Sequence, residues 1–230
     1  MSYPQPLQLR LRRAFIKGLF RNIFRILFKL EIEGLENVPA SGAYLMAHNH
    51  VSIIEPAFIL AFWPVNAEAI GAQELWSRPG QNLVIRFYGT TPVQRGVADR
   101  GLIKTMLEVL GRGSPLLIAP EGTRSHVPGM GRAQPGIGYL VEKARVPVLP
   151  IAIIGSTDEN LKLAFEFKRP QLKMVIGAPF ALPPIESSGK ARREARQQRA
   201  DEVLIRVGEF LPESYWGVYE EEIRNIQAGQ

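Results

Sequence analysis

The sequence predicts a single α/β domain: a central mixed β-sheet flanked by helices, preceded by an amphipathic N-terminal helix. Three observations predict it. Short apolar runs of strand length alternate with amphipathic stretches of helix length. Glycine and proline punctuate the junctions, as in Pro39-Ala40-Ser41-Gly42, Gly111-Arg112-Gly113 and Val127-Pro128-Gly129-Met130-Gly131. The 230 residues, 46% hydrophobic and 22% charged, suffice for one sizeable core and little more.

The first element is a helix within residues 1–30. Lys17, Arg21, Arg25 and Lys29 recur every fourth position and cover an arc of roughly 120°. Phe15, Ile16, Leu19, Phe20, Ile23, Phe24, Ile26, Leu27, Phe28 and Leu30 fill most of the remainder. Such a helix suits a membrane interface, with cations toward anionic headgroups and apolar side chains in the acyl boundary. The same pattern also fits an amphipathic helix packed on the protein's own core. A charge in every turn, and an apolar length of about 25 Å against a ~30 Å hydrocarbon core, exclude a transmembrane span. No uncharged h-region or small-residue cleavage site marks a secretory signal.

Residues 31–230 form the expected catalytic domain. The apolar runs predict strands at 31–34, 42–48, 67–71, 115–119, 148–154 and 173–176. Helices are expected at 56–63, 100–112, 136–144 and 189–210. The stretch between Arg124 and Pro135 reads as a loop bordering a site.

Charge narrows the function. Residues 1–30 carry seven basic side chains and no acidic one, which leaves 21 basic against 22 acidic groups in the remaining 200. The formal charge of +6 therefore belongs to the N-terminus, and a nucleic-acid-binding surface on the main body is not expected. Zero cysteines exclude disulfides, thiolate zinc sites and a cysteine nucleophile. No Gly-x-Ser-x-Gly elbow, phosphate loop or Gly-x-Gly-x-x-Gly is present.

The most informative short pattern is Ala47-His48-Asn49-His50-Val51-Ser52-Ile53-Ile54-Glu55-Pro56. An imidazole and a carboxylate five positions apart, His50 and Glu55, can meet across one tight turn. The carboxylate then fixes the ring tautomer and raises its basicity, as a general base requires. A bland reading stands beside this: Ser52-Ile53-Ile54-Glu55 fits a helix capping box and His50 a structural histidine. Farther on, Pro120-Glu121-Gly122-Thr123-Arg124-Ser125 closes an apolar strand. Its glycine permits close approach, its hydroxyls can hydrogen-bond, and its arginine presents a planar fork suited to phosphate.

Taken with Gly89-Thr90-Thr91-Pro92-Val93-Gln94-Arg95-Gly96 between them, these blocks resemble those of the glycerolipid acyltransferase family, which includes the lysophosphatidate acyltransferases. Val146-Pro147-Val148-Leu149-Pro150-Ile151 resembles a fourth block, and the four together run from about residue 47 to 155. The resemblance implies that His50 is the general base toward an acceptor hydroxyl and that Glu55 orients it. Glutamate stands where the commonest family pattern, His-x-x-x-x-Asp, has aspartate. It further implies that Arg95 binds the acceptor phosphate, that Glu121 and Arg124 help hold the glycerol phosphate or order the site, and that Gly122 lets the substrate come close, with the Thr123 hydroxyl in the same substrate-binding block.

The implied function is transfer of a fatty acyl group from acyl-CoA or acyl carrier protein to a lysophospholipid hydroxyl, with 1-acylglycerol-3-phosphate going to phosphatidate as the leading case. Either donor would be a co-substrate, and no cofactor or metal is expected. The expected location is peripheral, on the cytoplasmic face of a membrane. Two other classes remain open: a catalytically silent lipid-binding module, and a metal-dependent hydrolase using His48, His50 and His126.

Overall fold

The protein is described by a computed structural model covering residues 5–93 and 100–229. Its strands are β1 (Lys29–Glu33), β2 (Leu45–His48), β3 (Glu68–Ala72), β4 (Thr91–Val93), β5 (Leu116–Ile118), β6 (Val148–Ile154) and β7 (Gln171–Ile176). Its α-helices among the described residues are α1 (Leu7–Leu27), α2 (Glu55–Phe62), α3 (Gln81–Tyr88), α4 (Arg100–Gly111), α5 (Pro135–Ala144), α6 (Asp158–Phe165), α7 (Gly189–Gly208) and α8 (Glu220–Ala228). The seven strands make one sheet in the order β1-β7-β6-β2-β5-β3-β4. Every neighbouring pair is parallel except β6 with β7, so the sheet is mixed, as expected.

Strand alternation builds two cores, one on each face. Leu45, Ala47, Leu116, Ile118, Val148 and Ala152 point into a cluster with Leu140 of α5, Leu204 of α7 and Ile223 of α8. Met46, Leu117, Leu149, Ile151 and Ile153 point the other way, into a cluster with Phe24 of α1, Phe58 of α2 and Ala164 of α6. Helices therefore cover both faces, which is why β2, β5 and most of β6 read as unbroken apolar runs. On the first face α5 and α7 approach closely. A Cβ on Gly138 would lie 1.8 Å from the Arg196 carbonyl oxygen, so no larger residue fits there.

All six strands and all four helices expected of residues 31–230 are present, with ends shifted by a residue or two at most junctions. β1 begins at Lys29, so the expected boundary at residue 30 falls inside a strand. The elements not anticipated are β4, α3, α6 and α8. β4 is three residues long and contains a proline, while α3 and α6 have eight residues each, too few for a clear period.

The orientation of α1 corrects one expectation. Of the four periodic cations expected to face headgroups, Lys17 and Arg21 turn inward, together with Arg13, whereas Arg25 and Lys29 are exposed. Arg13 is fully buried and binds Glu68 of β3 through two bonds of 2.9 and 2.7 Å, while its Nε donates to the Tyr88 carbonyl at 3.0 Å. Lys17 donates to the carbonyls of Trp63 at 2.7 Å and Val65 at 3.3 Å, and Arg21 to that of Ala61 at 2.6 Å. These acceptors lie in and just beyond the last turn of α2, where unpaired carbonyls and the helix dipole favour cations. Burial lowers the Lys17 pKa to about 8, with nearby Arg21 and Arg13 acting in the same direction. Meanwhile Leu7, Leu11, Phe15, Leu19, Ile23 and Ile26 are exposed along the outer side. Among the described residues no helix is long and apolar enough to cross a membrane.

Candidate active site

Three adjacent parallel strands end at the same edge. β5 lies beside β2 and β2 beside β6, so the segments that follow them are brought together at the carboxyl edge of the sheet. That edge is where open α/β sheets assemble ligand sites. The segment after β2 supplies His50 and Glu55, the one after β5 supplies Glu121, and the one after β6 supplies Ser156.

Asn49 starts the arrangement by continuing the β2–β6 ladder with its side chain. Its amide donates to the Ile153 carbonyl at 2.9 Å and its carbonyl accepts from the Ile153 N–H at 2.8 Å. The chain then turns and enters α2 at Glu55, with Pro56 in the first turn where a missing N–H costs nothing.

The Glu55 carboxylate is fully buried and its two oxygens divide the work. Oε1 accepts from the N–H groups of Val51 and Ser52, both at 2.9 Å, and from the Ser156 hydroxyl at 2.6 Å. Oε2 lies 2.7 Å from His50 Nδ1. The capping and catalytic readings of this motif thus describe different atoms of one carboxylate. The longer glutamate side chain lets it reach back over its own helix start while still touching the ring. The reciprocal half of a capping box is not made, since the buried Ser52 hydroxyl has no partner among the described residues.

Burial raises the Glu55 pKa, opposed by the charge interaction with His48, by the Ser156 hydroxyl and by the two backbone N–H groups. His48 packs edge-on to His50 with ring centroids 5.4 Å apart. Burial, and then repulsion from His50, lowers the His48 pKa to about 4. Of the two rings, His50 is the one in hydrogen-bond contact with Glu55 Oε2, at 2.7 Å against 3.9 Å for His48 Nδ1.

Glu121 holds the backbone of the catalytic loop. One carboxylate oxygen accepts from the His50 N–H and the other from the Gly131 N–H, each at 2.8 Å. The Ser125 N–H donates to the His50 carbonyl at 2.9 Å, so both main-chain groups of His50 are bound by the Glu121–Ser125 turn. Burial pushes the Glu121 pKa up to about 7 against these two hydrogen bonds.

Of the two roles the resemblance implied for Glu121, ordering the site is the one this geometry accounts for. Gly122 has φ +73°, and a Cβ there would sit 3.0 Å from Gln134 Cγ, so the glycine answers a backbone need. Thr123 is exposed and Arg124 half-buried on the same turn. Arg95 lies outside the described residues.

His48, His50 and Glu55 also form a group whose ligand atoms lie within 4.8 Å of one another. His126, the third histidine of the metal-hydrolase alternative, does not belong to it; it is exposed, at φ +65°. Both Nδ1 atoms of the group are already engaged, that of His48 with the Asn49 carbonyl at 2.6 Å and that of His50 with Glu55. This arrangement suits proton transfer better than metal ligation. Ser156 and Asn49 were not anticipated from sequence. The signal for Ser156 was its position, two residues beyond a long apolar strand.

A three-layer α/β domain that places an imidazole–carboxylate pair at the carboxyl edge of its sheet holds the parts that a general-base catalyst needs. A family model described as "Acyltransferase" matches residues 29–154, and the chain belongs to that family. It is 25% identical over 184 residues to human 1-acyl-sn-glycerol-3-phosphate acyltransferase alpha, an alignment covering 79% of this chain and 61% of the relative. It is 32% identical over 127 residues to the 1-acyl-sn-glycerol-3-phosphate acyltransferase of Pseudomonas aeruginosa, covering 54% and 49% of the two chains. With the Bacillus subtilis enzyme of the same name, identity is 25% over 183 residues, covering 76% and 87%. The chain thus spans about three fifths of the human relative's length. Among solved structures, PlsC, the 1-acyl-sn-glycerophosphate acyltransferase of Thermotoga maritima, superposes with a TM-score of 0.62 at 21% identity, covering 94% of this chain and 80% of that one. At that identity the likeness speaks for the fold.

Proposed function

We propose that this chain is an O-acyltransferase of phospholipid synthesis, moving a fatty acyl group from acyl-CoA or acyl carrier protein to the hydroxyl of a lysophospholipid. The leading acceptor is 1-acylglycerol-3-phosphate, the substrate that the relatives' names carry. The observation that carries the proposal is the 2.7 Å contact between His50 Nδ1 and the buried Glu55 carboxylate.

With Nδ1 held as the N–H partner of Glu55, Nε2 is the nitrogen that takes the acceptor hydroxyl proton. The oxygen attacks the thioester carbonyl, the C–S bond breaks, and the proton returns from His50 to the departing thiolate. Glu55 stabilises the imidazolium in between. Arg124 and Arg95 hold the acceptor phosphate, for which a guanidinium offers two parallel donors. No resident cofactor or metal takes part.

The exposed apolar side of α1 supports peripheral membrane association, and the lipid character of the substrates favours it. We put the protein at the cytoplasmic face, where acyl-CoA and acyl carrier protein reside.

The decisive experiment supplies purified protein with lysophosphatidate or other lyso-acceptors and labelled acyl-CoA or acyl carrier protein, and resolves the products. Lysophosphatidate should be acylated, and His50→Ala should lose ~10²-fold or more of that rate. A protein inactive on every acceptor would instead be a lipid-binding module. Loss of activity with chelator, restored by zinc, would return the hydrolase.

A further inference from the structure

We infer that the turn joining α6 to β7, residues 166–170, is a second point of membrane contact, entering the lipid headgroup and acyl boundary beside α1. The inference rests on the membrane association proposed above.

The turn closes α6 with a Schellman pair of hydrogen bonds: Lys168 N–H to the Leu163 carbonyl and Phe167 N–H to the Ala164 carbonyl, both 3.0 Å. That geometry requires a left-handed residue at the position Phe167 occupies, and Phe167 has φ +56°. Glycine is the ordinary choice there, because a side chain in this conformation crowds the following carbonyl. A phenylalanine costs folding stability there, and burial returns little of it, since Phe167 is 70% exposed. Phe165, on the last turn of the same helix, is 66% exposed. Two bared aromatic rings, one of them on a strained backbone, point to a partner outside the chain.

The surroundings fit a lipid surface. Lys162, Lys168 and Arg169 are exposed around the two rings, and the local acid Glu166 is paired with Lys168 at 2.7 Å. Aromatic rings ringed by cations suit an interface between acyl chains and phosphate headgroups.

The turn is also fixed to α1. Arg169 donates to the carbonyls of Arg25 at 3.1 Å and Phe28 at 3.4 Å, and the Lys29 N–H donates to the Pro170 carbonyl at 2.9 Å. Ala164 of α6, Phe24 of α1 and Phe28 just beyond α1 bury into one core on the same face of the sheet. The turn and the exposed stripe of α1 therefore move as one body. Two contacts along such a body fix its rotation about the helix axis, and with it the direction in which the His50 edge faces the lipid.

The chain has no cysteine, so a single introduced thiol labels one position. Phe167→Cys, Leu19→Cys on α1 and Gln227→Cys on α8 would each carry a polarity-sensitive fluorophore. The probe is vesicles of phosphatidylcholine with phosphatidylglycerol, with or without brominated acyl chains. Labels at 167 and 19 should shift to the blue and be quenched about twofold or more by bromine, while the label at 227, on the opposite layer, stays in water. Phe165→Ser with Phe167→Ser should lower vesicle partitioning ~10-fold or more. Acylation of a water-dispersed short-chain acceptor should be unchanged.

An aqueous signal at 167 while the label at 19 is quenched in the same vesicles overturns the second contact and leaves α1 docking and acyl transfer standing. Unchanged partitioning of the double variant also overturns it. So does a blue shift at 167 that grows with protein concentration without lipid, which would mean the rings meet a second copy.

Discussion

The loop carrying His50 and the helix carrying Lys17 each show charged or titratable side chains at a telling spacing, and their sequences relate to their structures in opposite ways. In the loop, imidazole and carboxylate meet across five residues, and the 2.7 Å contact between them is the one the spacing predicts. In α1, the periodic cations suited headgroups while the pattern also fitted packing on the protein's own core, and Arg13, Lys17 and Arg21 reach partners 40 to 55 residues away. A polar pattern with its partner inside the window can be read directly. When the partner lies on another element, the pattern gives the helix and leaves its facing undecided.

Substitutions at these two regions test the contrast. Glu55→Gln would show the largest effect. The amide keeps the shape but loses the charge that fixes the His50 tautomer, and acyl transfer should fall by about 10³-fold with little loss of fold. A loss below tenfold would mean that His50 does not depend on its neighbour. Arg13→Ala comes next, and its effect should be on stability. It strands a partly buried Glu68, so urea unfolding should report a loss of ~3–5 kcal/mol. A loss under 1 kcal/mol would make the Arg13–Glu68 pair ornamental and reopen the outward orientation of the cations.

Ser156→Ala removes one of four donors around Glu55 and should cost about 1–3 kcal/mol in activation free energy, seen in kcat more than in KM. Its effect should vanish when Glu55 is already changed to Gln; full additivity would detach Ser156 from the dyad.

Glu121 gives a pH signature. Its folded pKa lies near 7, above the ordinary carboxylate value of 4.5. Between those values the folded state holds a proton that the unfolded state has released, so this group's contribution falls as pH rises through the window and is flat above it. Buried His48, with a folded pKa of about 4, contributes the opposite slope between about pH 4 and 6.5. The informative quantity is therefore the stability of the native protein minus that of Glu121→Gln. It should decline by roughly 1 kcal/mol per pH unit between pH 5 and 7. A flat difference would mean that the carboxylate stays ionised.

The smallest expected effect concerns salt. Because Arg13, Lys17 and Arg21 face the protein, a variant with the exposed Arg25, Lys162, Lys168 and Arg169 changed to Gln should bind vesicles with less than about a twofold change between 0.1 and 0.5 M salt. A steep decline would restore the inward-facing cations to the headgroups.

Much of the candidate site could be read from short segments, each with its own local reason. His50 and Glu55 share one turn, and Gly122 answers a left-handed backbone. The tie from Glu121 to the His50 N–H could not be read, because it spans 71 residues. It exists because β2 and β5 are parallel neighbours that end together. Ser156, 101 residues from Glu55, is brought in by β6 for the same reason.

By itself the sequence determined the layered α/β class, the strands of the sheet's centre, the family blocks and the imidazole–carboxylate pair. These follow from periodicity and from contacts shorter than one turn of chain. Tertiary structure alone decided strand order, the company the dyad keeps, and which side of α1 faces outward. The reason is the same in each case: hydrogen-bond and ion-pair partners supplied by distant strands and helices exist only after the sheet has aligned its ends, and no local pattern specifies them in advance.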